Sequence, residues 1–100
     1  MNMILTTIAQ EKKRIEYMLA KYKEEYDRLP KGSLSEKRSG SHVYFYLKRR
    51  EGKKIISQYV RQSEVEEIRM QLNKRKHIEA MVKSLQDELI IANKVLEGEL

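Results

Sequence analysis

Residues 42–60 read HVYFYLKRREGKKIISQYV, and the period of that stretch decides the fold. Val43, Phe45 and Leu47 alternate with Tyr44, Tyr46 and Lys48. Strict alternation belongs to a half-buried strand, because successive side chains point to opposite faces. After Arg50-Glu51-Gly52-Lys53, the run Ile55 to Val60 is again rich in β-branched and aromatic residues. The spacing predicts a β-hairpin with a two-residue turn at Glu51-Gly52. That turn pairs Leu47 with Ile56, Phe45 with Gln58, Tyr44 with Tyr59 and Val43 with Val60, so both strands agree about which face is apolar. A further short strand, Leu34 to Arg38, is expected to turn at Ser39-Gly40 and place Leu34 opposite Phe45. The β region, about 33–61, is thus a hairpin or a three-stranded meander.

On both sides of this region the apolar period becomes helical. Met1, Leu5, Ile8, Lys12, Ile15, Leu19, Tyr22, Tyr26 and Leu29 recur at alternating spacings of four and three, interrupted only by Lys12. They define a helix over about 3–29, with Thr7 and Gln10 offering a capping box for a later start. Pro30 ends it, because it lacks a donor and disfavours the α conformation at Leu29. Ser63-Glu64-Val65-Glu66 reads as a second capping box, opening a helix over about 64–97. Its stripe runs through Val65, Ile68 and Leu72, then through Ile78, Val82, Leu85, Leu89, Ala92 and Leu96. The step from Leu72 to Ile78 is out of phase with the heptad, which allows a local change of winding.

The expected fold is therefore α+β in a single domain, 1–100: a long N-terminal helix, a small antiparallel sheet and a long C-terminal helix. The two helices should fold back on each other as an antiparallel, coiled-coil-like hairpin. Met18, Met70, Met81, Ile90, Ile91 and Val95 lie off the main stripe and need a second surface, whether the sheet, a second copy of the chain or a different protein; a homodimer is expected.

The chain has no cysteine, which excludes disulfides, zinc ribbons and thiol chemistry. Met1 to Gln10 is followed by Glu11-Lys12-Lys13-Arg14, which is not a secretory pattern. No apolar run approaches the roughly 20 residues that span a bilayer, so a cytoplasmic protein without membrane contact is expected. The net charge of +6 is uneven: residues 31–61 carry nine basic groups against Glu36 and Glu51, or +7. Such segmental charge is an electrostatic footprint for a polyanionic partner.

Catalytic chemistry finds little support. His42 and His77 lie in different elements without ligand or triad spacing around them, and read as solvent-exposed histidines. The carboxylates at Glu24-Glu25-Asp27, Glu64-Glu66-Glu67 and Asp87-Glu88 read as solvated helix faces or a helix start, so no metal and no cofactor are expected. Lys31-Gly32-Ser33 follows a helix and lacks the preceding glycine of a phosphate loop. The expectation is a protein that is not an enzyme.

The basic hairpin is the sharpest signal. Arg49, Arg50, Lys53 and Lys54 cluster around the turn, with Lys48, Lys37 and Arg38 nearby, while Tyr44, Tyr46 and Tyr59 supply aromatic rings. Rings interleaved with cations can stack on bases while the cations meet phosphates. A basic two-stranded ribbon can also enter a major groove. Charged turns protect hairpins from edge aggregation as well, so a merely solvated turn is the competing reading. Lys74-Arg75-Lys76 forms a second, weaker basic patch on one helical turn.

At Leu29-Pro30-Lys31-Gly32-Ser33-Leu34, Tyr44-Phe45-Tyr46-Leu47, Arg50-Glu51-Gly52-Lys53-Lys54 and Tyr59-Val60, the chain resembles a group of small clostridial (Firmicute) proteins. These share the order helix, L-P-x-G-S-L, tyrosine-rich strand, R-E-G-x-K turn, Y-[VI] strand, helix. The resemblance implies a phage, plasmid, mobile-element or defence-related context and supplies no active site. The expected function is that of a basic nucleic-acid-binding accessory protein of a mobile element, contacting DNA or RNA phosphates through the hairpin. The alternative is a protein-interaction module, such as an anti-CRISPR inhibitor or antitoxin, that binds a nucleic-acid-processing partner.

Overall fold

The computed structural model describes residues 2–98, so Met1, the first position of the N-terminal seam, lies outside the described residues. The fold is α+β. Helix α1 (Met3–Asp27) is followed by strands β1 (Ser33–Ser39), β2 (His42–Glu51) and β3 (Lys54–Val60), a 3₁₀ turn (Gln62–Glu64) and helix α2 (Val65–Leu96). The strands form one antiparallel sheet in the order β1-β2-β3. The chain divides into two compact units: a helical one of residues 1–28 and 77–100, and a sheet-containing one of residues 29–76.

In the sheet unit, Leu47, Val60, Val65 and Leu72 form the buried core, and Leu34, Phe45 and Ile68 pack against it. One face of the sheet is thus covered by the first turns of α2. Strand pairing is shifted by two residues from the register read from the sequence, in both hairpins. Leu47 pairs with Gln58 rather than Ile56, and Phe45 pairs with Val60 rather than Gln58. Leu34 pairs with Leu47 rather than Phe45.

Both differences have one cause. The turns are Gly40-Ser41 and Gly52-Lys53, with φ of +62° and +61° at the glycines and no non-glycine residue at positive φ among those described. Glycine therefore takes the first central position, as in a II′ turn, instead of the second. A slip of two residues preserves side-chain parity, so the apolar face remains the one the alternation predicts.

The helical unit is an antiparallel pair. Tyr26, near the end of α1, donates its hydroxyl to Glu79 at 2.7 Å, whereas Arg14, further back, feels the charge of Glu88. Ile15, Ile78, Leu85 and Ala92 are its buried apolar residues. Every seam position of α1 from Ile8 onward is buried or half-buried, and so is every predicted stripe position of α2.

The helix ends differ from the sequence reading. Asn2 caps α1, its Oδ1 accepting from the Ile4 and Leu5 amides, while the Thr7 hydroxyl donates to the Met3 carbonyl inside the helix. The helix stops at Asp27, short of Leu29. Ser63 sits within the 3₁₀ turn rather than capping α2, although Glu66 and Glu67 do occupy the first turn of that helix. Helix α2 stays regular through the phase step between Leu72 and Ile78. The step falls where α2 leaves the sheet unit, after Lys76, and joins the helical unit at His77. Among the described residues, no helix is long and apolar enough to cross a membrane.

Candidate nucleic-acid interface

Directly paired residues of an antiparallel sheet share a face, so the pairing sorts the basic and aromatic residues into two sets. The face away from the core is built in rows across the strands. Lys37 pairs with Tyr44, and Ser35 with Tyr46, which pairs in turn with Tyr59. Ser33 pairs with Lys48, which pairs with Ser57, and Arg50 pairs with Ile55 at the end of the hairpin. This face is open: Tyr44 is 37% exposed, Tyr59 55% and Ile55 66%, while Tyr46 is half-buried. The Tyr46 and Tyr59 rings meet edge to face, with centroids 5.9 Å apart. His42 lies on the same side, its ring centroid 6.2 Å from that of Tyr44.

Among the described residues, no strand carboxylate lies on this face. The only two acidic residues of the strands, Glu36 and Glu51, have the opposite parity. Each stands beside a cation there: Arg38 Nε lies 4.0 Å from Glu36, and Arg49 Nε donates to Glu51 at 3.0 Å. Arg49 also donates to Gln58 at 3.2 Å, and Lys54 pairs with Glu51 across the strands. Among the described residues, Lys37, Lys48 and Arg50 make no ion pair.

The residues singled out from sequence therefore divide. Lys37, Tyr44, Tyr46, Lys48, Arg50 and Tyr59 come together on the open face. Arg38, Arg49 and Lys54 lie on the other, and Lys53 sits in the turn. The turn cluster Arg49-Arg50-Lys53-Lys54 does not present its charges in one direction. The second basic patch is also separate. It belongs to the part of α2 that follows the core face, and Arg75 donates to the Leu29 carbonyl at 3.3 Å.

The face also carries Ser33, Ser35, Ser57 and His42, which sequence reasoning did not assign to a site. Each sits at an even spacing from a chosen residue along its own strand or opposite one across the ladder, which was the available signal. Among the described residues, no three His, Asp or Glu side chains converge as a metal site would require.

A family model described as Domain of unknown function (DUF6788) matches residues 8–70, well over half of the chain. The chain belongs to that family. The match takes in all three strands and the start of α2, so the open face lies wholly inside the DUF6788 region. No curated protein and no solved structure matches the chain.

Proposed function

We propose that this DUF6788 chain is a non-enzymatic nucleic-acid-binding accessory protein of the cytoplasm, working in a mobile-element context, and that the tyrosine face of its sheet is the contact surface. The observation that carries this reading is the segregation of charge: among the described strand residues, Lys37, Lys48 and Arg50 share their face with three tyrosines and no carboxylate. Cations unneutralised by neighbours release the counterions of a polyphosphate when they bind it, and rings between them can meet bases. The cations of the opposite face already stand beside Glu36 and Glu51, so they add less.

The test is salt-dependent binding of a labelled oligonucleotide. Lys37→Gln, Lys48→Gln and Arg50→Gln together should weaken binding and reduce the log–log salt slope by about 0.7–0.9 per lost contact. Arg38→Gln with Lys54→Gln should change both much less. Equal losses from the two sets would reject the tyrosine face as the contact. Capture of one protein in a tight complex that survives nuclease, with no oligonucleotide affinity, would place the protein-interaction reading first.

A further inference from the structure

Resting on the nucleic-acid reading above, we infer that the ligand of the tyrosine face is a single strand, with its bases unstacked and laid along β2. The sheet is three strands wide at the Tyr46 row. Strands about 4.8 Å apart spread their outer axes over roughly 10 Å before any side chain is added. A major groove about 12 Å wide admits one helix or a two-stranded ribbon, a description that only the turn end meets, where β2 and β3 run on past β1, and that the three-stranded Tyr46 row does not. A duplex set against this face would offer only backbone, because its bases are already stacked on each other. The tyrosines could then offer only their hydroxyls to phosphates, and their ring faces would go unused.

A single strand uses every feature. Tyr44 and Tyr46 alternate along β2, about 7 Å apart, and Tyr59 stands across from Tyr46. Edge-to-face packing of Tyr46 and Tyr59, at 70° between planes, uses neither face of the ring that contributes its edge. Cations bracket this aromatic track, with Lys37 at the Tyr44 end and Lys48 and Arg50 beyond Tyr46. From Tyr44 to Arg50 the track runs about 20 Å along the strand, long enough for several extended nucleotides. Ser35 and Ser57 add hydroxyls that can bond sugar or phosphate oxygens. DNA and RNA single strands share this chemistry.

The experiment measures binding of oligo-dT, oligo-U and an oligo-dA·dT duplex of equal length by fluorescence anisotropy, using the full chain. Both single strands should bind at least tenfold more tightly than the duplex. Tyr44→Ala or Tyr59→Ala should weaken single-strand binding roughly 5- to 150-fold with little change in salt slope. Tyr44→Phe should retain binding, whereas Tyr44→Leu should lose it, since Leu keeps apolar cover without a π face. Circular dichroism on each variant shows that the fold is kept. Equal or tighter duplex binding, or Phe and Leu variants that behave alike, would overturn the single-strand inference while leaving nucleic-acid binding in place. Absence of binding to all three probes would overturn both.

Discussion

At Gly32 two constraints meet. Its φ is +110°, and a Cβ added there would collide with the carbonyl oxygen of Lys48, a backbone atom of the neighbouring strand. Gly40 has φ of +62° but open space around a would-be Cβ. Alanine at Gly40 should therefore cost only the strain of a positive φ, about 1–3 kcal/mol. Alanine at Gly32 adds a collision with a backbone atom to that strain and should cost more than alanine at Gly40. Urea unfolding of the two variants checks the order, and equal losses would show that the approach to Lys48 relaxes freely. A second residue-scale case is Glu11. Arg14 donates to both of its carboxylate oxygens at 2.9–3.1 Å, and this hydrogen bonding holds the carboxyl below its ordinary value. A carboxylate depressed in the folded state contributes stability above its unfolded pKa and loses it as pH falls through the folded one. Following the Glu11 carboxyl by NMR should show a midpoint lower than in Arg14→Gln. The difference should shrink with added salt, because the pair is solvent-exposed.

Among the elements, the sheet separates two kinds of apolar residue. Leu47 on the core face is 7% exposed, whereas Ile55 on the tyrosine face is 66% exposed. Leu47→Ala should cost about 2–5 kcal/mol through the cavity it leaves. Ile55→Ala should change stability by less than about 0.5 kcal/mol, as exposed substitutions do. Thermal unfolding of both variants checks this, and comparable losses would mean that the tyrosine face is covered after all. This two-sidedness was legible in the sequence. Val43, Phe45 and Leu47 against Tyr44, Tyr46 and Lys48 assign the faces by parity, and parity survives any even slip of register. The slip itself was not legible, because Ser39-Gly40 and Gly40-Ser41 are both acceptable two-residue turns, as are Glu51-Gly52 and Gly52-Lys53. Only the backbone angle at each glycine separates them. The grouping of cations suffered for a related reason. Arg49, Arg50, Lys53 and Lys54 are neighbours in sequence, yet adjacent strand residues point to opposite faces. The helix stripes were read correctly almost position by position, since a heptad leaves little freedom. Asn2 was missed as a cap because Thr7 with Gln10 offered a fuller motif further on.

At the scale of the whole molecule, charge is partitioned between the two units. Residues 29–76 hold thirteen basic and five acidic groups, a net +8. The described helical residues, 2–28 and 77–98, hold eight basic and nine acidic groups, a net −1. Two copies of the chain therefore repel through their sheet units and scarcely at all through their helical ones. The helical unit also holds large exposed apolar side chains, with Met3 84%, Ile4 69%, Ile90 53% and Ile91 58% exposed. We predict that the chain self-associates through this unit as a homodimer. Because apolar burial is insensitive to modest salt while sheet–sheet repulsion is screened by it, self-association should hold or tighten as salt rises. Nucleic-acid binding should weaken over the same range. The opposite signs separate the two surfaces without any mutation. Ile90→Lys with Ile91→Lys should then shift the sedimentation coefficient to that of a monomer while helicity is kept, since neither side chain is in the core. Monomeric sedimentation of the unaltered chain at high micromolar concentration would reject the dimer. A dimer that dissociates as salt rises would place its interface on the charged sheet instead.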